Sequence, residues 1–283
     1  MNRRAAWAVA IAGLPLVLTC GCGKLPPPRD PVRTRAMVLN NQADGEMQRG
    51  NLAGAERLYG EALATARSIE DEERIAINLL GLTATLRAAG RGQEAGPLLE
   101  ELLAAPRGRF PSDLVAQASL QKAVIALDDA RLADALPAAQ RALADCTRPR
   151  SCRQAAAAHV LIARVRLAQG DPAAAVAAAN TGLDVAVAER DHLEKANALR
   201  VLGDAALAQG AAREALAHYE AALTLDKGLA FPRKVALDLL GLAASSQRLG
   251  QTAEARAFAE RALAVATAAG DEPLVARARE LVR

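Results

Sequence analysis

The chain has 283 residues, 52% of them hydrophobic but only 2% aromatic, and alanine and leucine dominate its apolar content. Both favour helix, and the β-branched and aromatic enrichment of strands is missing, which excludes a β-rich fold. The formal net charge is +3, or +1 after subtracting Arg3 and Arg4 of the leader described next, so no basic excess argues for nucleic acid as a partner.

Met1–Arg4 supply a short positive start, and Ala5–Leu18 form an apolar run. That run falls short of the roughly 20 apolar residues a spanning helix needs. With the small residues after it, the segment reads as a secretory signal over residues 1–21, an uncut membrane anchor being the alternative. The junction Leu18-Thr19-Cys20-Gly21-Cys22-Gly23 resembles the lipobox of bacterial lipoproteins. That family places leucine three residues before the lipidated cysteine and glycine or alanine directly before it. Cys22 has Gly21 before it but Thr19 at the leucine position; Cys20 has Val17 at that position but Thr19 directly before it. The resemblance implies cleavage and lipidation at Cys22, with Cys20 as the alternative. Several acyl chains matter, because one alone holds a protein only marginally. Gly23 stands where the family's inner-membrane retention signal has aspartate, so the implied destination is the outer membrane, facing the periplasm.

Residues 22–32 are proline-rich, with Pro26-Pro27-Pro28 and Pro31. They read as a stiff tether of roughly 30–35 Å or as a plain lead-in. From residue 33 the chain repeats every 40 residues. Ala55, Ala95, Ala135, Ala175, Ala215 and Ala255 form one column; Ala36, Ala76, Ala116, Ala156, Ala196 and Ala236 form another. Leu63, Leu103, Leu143, Leu183, Leu223 and Leu263 form a third, and a turn column reads Gly50, Gly90, Ala130, Gly170, Gly210, Gly250. Such self-similarity is the mark of a stacked-repeat solenoid. The units fall near residues 33–71, 72–111, 112–151, 152–191, 192–231 and 232–270. Each holds two helical patterns, A and B, broken at the turn column. Pro97 and Pro137 fall within about the first turn of helix B, where a missing amide is tolerated. Residues 271–283 read as a polar capping helix.

Unit five carries Leu199, Leu202-Gly203, Gly210, Ala215, Tyr219 and Ala222-Leu223; unit six repeats it with Leu239, Leu242, Gly250, Ala255 and Ala262-Leu263. This spacing resembles the tetratricopeptide repeat. Units one, two and four fit, with Tyr59 matching Tyr219, while unit three has Ala130 for glycine. The period of 40 exceeds the family's commoner 34, and the consensus tryptophan is absent. HEAT and armadillo arrays share a period near 40 but lack this spacing. The resemblance implies an all-α, right-handed solenoid of about six helix-turn-helix units.

His159, His192 and His218 have no partners at metal-ligand spacing, and no phosphate loop or nucleophile elbow appears. The expectation is a non-enzyme with no metal, cofactor or small-molecule substrate. Cys146 and Cys152 flank a short loop between units three and four and would pair in an oxidising compartment, two free thiols or a metal pair being the alternatives. In the family, helix A lines the groove where protein or peptide partners lie. Carried over, Asn40, Asp44, Arg87, Arg164, Asn197, Arg200, Asp204 and Arg248 become groove candidates, with Ile77, Leu80, Leu120, Val124, Leu237 and Leu240 between them. An apolar channel with a polar fringe suits an extended or helical protein segment. Three functions follow as expectations: an envelope-assembly adaptor, a regulator of an envelope enzyme such as a peptidoglycan hydrolase, or a spacer with no groove ligand.

Overall fold

The computed structural model describes residues 30–146, 152 and 154–282. The leader, Cys20 and Cys22 lie outside them, as does most of the tether. Thirteen α-helices and no strand occur among the described residues. They pair as α1 (Pro31–Gln48) with α2 (Leu52–Arg67), α3 (Glu72–Ala88) with α4 (Gly96–Leu103), and α5 (Ser112–Asp128) with α6 (Leu132–Asp145). The second half pairs α7 (Ala155–Ala168) with α8 (Pro172–Ala188), α9 (His192–Ala208) with α10 (Ala212–Gly228), and α11 (Pro232–Arg248) with α12 (Thr252–Ala268). Helix α13 (Glu272–Val282) follows α12.

Even-numbered helices pack on the odd-numbered helices before and after them. Successive odd-numbered helices also touch one another, whereas successive even-numbered ones do not pack together. The odd helices therefore crowd the inside of a curve and form the concave face of an all-α solenoid. The alanine columns explain how closely the layers stack. Ala36, Ala76, Ala116, Ala196 and Ala236 are wholly buried, and so are Ala55, Ala95, Ala135, Ala175 and Ala215. A methyl group at the contact lets helix axes approach to the short end of the usual 8–10 Å.

The turn column proves to be half of a 20-residue rhythm. Gly50, Gly90, Gly170, Gly210 and Gly250 have φ between +73° and +80°, and Ala130 adopts the same left-handed turn at +56°. Between units, Glu70, Arg190, Ala230 and Gly270 repeat it at +52° to +67°. After each, the next amide reaches back five residues, as Asn51 to Glu46 (2.9 Å), Asp71 to Ala66 (3.1 Å) and Arg131 to Ala126 (2.7 Å). These bonds close Schellman turns and satisfy carbonyls the helix leaves unpaired. Asn51, Asp71, Asp171, Asp191 and Asp271 follow directly and cap the next helix through the amide three residues on.

Units two and three depart from this regularity. Pro97 forces a 3₁₀ turn at Gly92–Ala95 before α4, which ends early at Leu103. Pro137 lies well inside α6 rather than in its first turn, because the turn at Ala130 fixes the helix start at Leu132. Its missing amide leaves the Ala133 carbonyl without a helical partner. Cys146 and Cys152 are joined by a disulfide, their Cα atoms 5.5 Å apart, at the junction of α6 and α7. Helix α13 buries Leu274, Val275 and Ala278 and turns Arg277, Arg279 and Glu280 outward. No described helix is long and apolar enough to cross a membrane.

Candidate partner-binding groove

Residues spaced three and four apart on an odd helix share one face, and that spacing builds the groove floor. At its N-terminal end, Asn40 and Asp44 of α1, Ile77, Leu80, Gly81 and Ala84 of α3, and Leu114, Gln117 and Gln121 of α5 line a hollow of about 260 Å³. Tyr59 reaches into it from α2. Leu80 and Leu240 are buried, while Ile77, Leu120, Val124 and Leu237 are half-buried and form the apolar part of the floor.

The polar candidates divide into two groups. Asp44, Arg87, Arg164, Asp204 and Arg248 are exposed. Asp44 accepts a hydrogen bond from the Tyr59 hydroxyl, and Arg87 stands 3.4 Å from Asp128. Arg164 and Asp204 touch solvent, yet the surrounding walls strip part of their hydration. Burial accordingly lowers the pKa of Arg164, opposed by Asp128 and Asp204. Burial likewise raises that of Asp204, opposed by its hydrogen bond from Tyr219 (2.5 Å) and by Arg200, Arg164 and Arg277.

The other three candidates are engaged inside the protein. Asn40, at the edge of the hollow, is mostly buried and donates to Asn78 Oδ1 at 3.1 Å, so its amide ties α1 to α3. Arg200 is mostly buried, its Nε donating to Asp238 at 2.7 Å and its guanidinium also clamping Asp226. Asn197 Oδ1 accepts from Arg200 (3.1 Å) and from Lys234 Nζ (2.9 Å), and its amide donates to Glu194 (3.1 Å). This network joins α9, α10 and α11. Asp226 and Asp238 are both wholly buried, and one oxygen of each lacks a partner. Two carboxylates share one guanidinium, so burial and the neighbouring Asp226 push the Asp238 carboxyl up to about 7 against the pull of Arg200.

The sequence reading missed both aspartates, although a signal was present. Asp226 occupies the column of Ala66, Ala186 and Ala266, and Asp238 that of Ala118, Ala158 and Ala198, all buried. A charge in a buried column calls for a partner. It also missed how the two tyrosines are seated. A Cβ at Gly81 would lie 2.4–2.7 Å from the Tyr59 ring, and one at Gly241 would lie 2.3–2.5 Å from the Tyr219 ring. Elsewhere in this column pair, Ala139 shares a buried cluster with Leu161, and Ala179 shares one with Val201. A large residue faces a gap, and a small residue faces a bulky one.

No described His, Cys, Asp or Glu residues gather in groups of three or more that could hold a metal ion. His159 borders an apolar hollow of about 740 Å³ beside Cys146, and burial lowers its pKa. His218 lies 3.6 Å from Glu214 on an outer helix.

The tetratricopeptide repeat family matches residues 153–228, which correspond to units four and five. No curated protein matches the sequence. Among solved structures, a Rap protein complexed with Competence and Sporulation Factor is similar at TM-score 0.62 and 14% identity, covering 87% of this chain and 69% of that one. BtubC from P. vanneervenii is similar at 0.56 and 15%, covering 86% and 93%. A STAND protein with a tetratricopeptide repeat sensor from Pyrococcus horikoshii is similar at 0.64 and 13%; the match covers 87% of this chain but 37% of that one. The central third of the solenoid therefore carries the tetratricopeptide repeat signature in its sequence, and the array as a whole has the tetratricopeptide-like all-α fold.

Proposed function

We propose that the chain is a scaffold that holds an extended or helical protein segment against its odd-numbered helices, and that it does so in the bacterial envelope, anchored by lipid on Cys22 in the outer membrane. The observation that carries the binding reading is the concave strip itself. Half-buried Ile77, Leu120, Val124 and Leu237 run along it, flanked by the exposed charges of Asp44, Arg164 and Asp204. Apolar surface that stays open on the inside of a curved array is where a partner gains most contact area per residue. The Rap-like neighbour, complexed with its factor, supports the view that this fold serves binding.

A photo-crosslinking residue at Ala84, on the groove floor, is expected to capture a partner in cells. The same residue at exposed Glu61 on α2 is expected to capture none. Equal capture from both sites, or none from Ala84, removes the groove reading and favours a spacer. A regulator of an envelope enzyme would use the same groove, and the identity of the captured protein separates it from an assembly adaptor.

The envelope reading is supported by the charged start, the short apolar run and the Cys22 junction. The disulfide at Cys146–Cys152 suits an oxidising compartment. Wild-type chain is expected in the membrane fraction and Cys22→Ser chain in the soluble periplasmic fraction. A soluble wild type ends this part of the proposal; loss of anchoring with Cys20→Ser alone moves the lipid to Cys20.

A further inference from the structure

Within that groove reading, on which this inference rests, we propose that the niche above Tyr59 seats one cationic side chain, lysine or arginine, of the bound segment. The niche has an internal counterpart. Asp44, Tyr59 and Gly81 recur as Asp204, Tyr219 and Gly241 exactly four repeats later. In each, the tyrosine hydroxyl donates to an exposed aspartate, and the glycine leaves room for the ring.

The two differ in their charge balance. Asp204 is offset by Arg200, Arg164 and Arg277 of this chain. The positions equivalent to Arg200 and Arg277 are the neutral amides Asn40 and Gln117, and both line the first niche. Among the described residues Asp44 forms no ion pair. Its niche therefore holds an unneutralised carboxylate where the protein elsewhere supplies arginines.

Gln121 borders the same hollow; its amide donates to the Leu80 carbonyl at 3.2 Å, and its Oε1 is buried without a partner. A carboxylate with no cation beside it, next to an unpaired amide oxygen, favours a ligand that only donates, and an ammonium or guanidinium group does so. Ile77, Leu80 and Leu114 form apolar walls along which the methylene stem of such a side chain can lie. The hollow, about 260 Å³, admits one side chain.

The test uses the full chain and three end-blocked, fluorescein-labelled peptides of one extended Leu/Ser sequence. They differ only at a central lysine, norleucine or glutamate, and affinity is read by anisotropy. The lysine peptide is expected to bind about tenfold tighter than the norleucine peptide, as a charge-assisted hydrogen bond implies. Asp44→Asn keeps an acceptor for the Tyr59 hydroxyl, so the fold persists. That variant is expected to cut the preference below about twofold while norleucine-peptide binding stays. Glu61→Gln, which removes the same charge from an outer helix, leaves the preference intact. Equal binding of the lysine and norleucine peptides, or a preference that survives Asp44→Asn, overturns the niche and leaves the groove reading standing. If no peptide binds while Ala84 still captures a partner, the niche falls and the groove reading stands; if Ala84 captures none as well, both fall.

Discussion

Replacing Arg200 by methionine is expected to cost about 3–5 kcal/mol of stability at pH 8, the usual result of stranding buried charge by removing its partner. Asp226 and Asp238 would keep their places, each wholly buried, with no guanidinium between them. The effect has a defined pH dependence. Asp238 has a folded pKa pushed up to about 7, above the unfolded carboxylate value of about 3.9. Between those values the folded chain holds more protons than the unfolded one, so this group's contribution to stability falls as pH rises through the window and is flat above it. At pH 5 the stranded Asp238 carboxyl can hold a proton, and the cost of Arg200→Met is expected to be smaller than at pH 8. Asp238→Asn is expected to flatten the wild-type slope between about pH 4 and 7. Denaturant melts at the two pH values decide the matter: an equal cost at both, or none at either, contradicts the arrangement of charges described.

Gly241→Val is expected to destabilise the solenoid by about 3 kcal/mol, the upper end of what overpacking costs. The added Cβ would stand 2.3–2.5 Å from the Tyr219 ring. That ring cannot retreat, because Tyr219 is 1% exposed and its hydroxyl is bound to Asp204. Tyr219→Ala alone empties the same space and costs about 3–5 kcal/mol. The double variant puts at these positions the alanine and valine that Ala179 and Val201 already supply between units four and five. It is expected to be about 2 kcal/mol more stable than the sum of the single effects. Strict additivity in a double-mutant cycle would show that the two positions do not share a space.

Much of the fold was legible because packing repeats. The Ala36 and Ala55 columns must be small in every unit, so the same constraint is written six times. Glycine marked the turn inside every pair but the third, where Ala130 makes it, whereas three of the turns between units are made by Glu70, Arg190 and Ala230, residue types that carry no turn signal. Only backbone hydrogen bonding reveals that half of the rhythm. The groove was less legible for a related reason. A column position says which face a residue is on, not whether a neighbour has claimed it. Arg200 and Asp204 sit on adjacent turns of α9, yet one is locked to two buried aspartates and the other meets solvent. The deciding partners, Asp226 and Asp238, come from two other helices. Asn40 lines the groove hollow, but its amide is held by Asn78 of the next repeat, a partner no column position announces.

The disulfide between α6 and α7 also has a mechanical meaning. Arrays of this kind transmit load from each layer only to the next, so their weakest seam sets how much of the chain yields together. Unit three is the thinly joined layer: shortened α4 leaves little surface against α5, and α6 packs on α7 less extensively than α8 on α9 or α10 on α11. The covalent link bridges one of those two seams. A pull applied between a fixed N-terminal end and a partner gripped in the groove would reach that seam as tension on a bond rather than on side-chain packing. Of the two thin seams, the one between α4 and α5 has no such bridge, and it is where such a pull would be expected to open first.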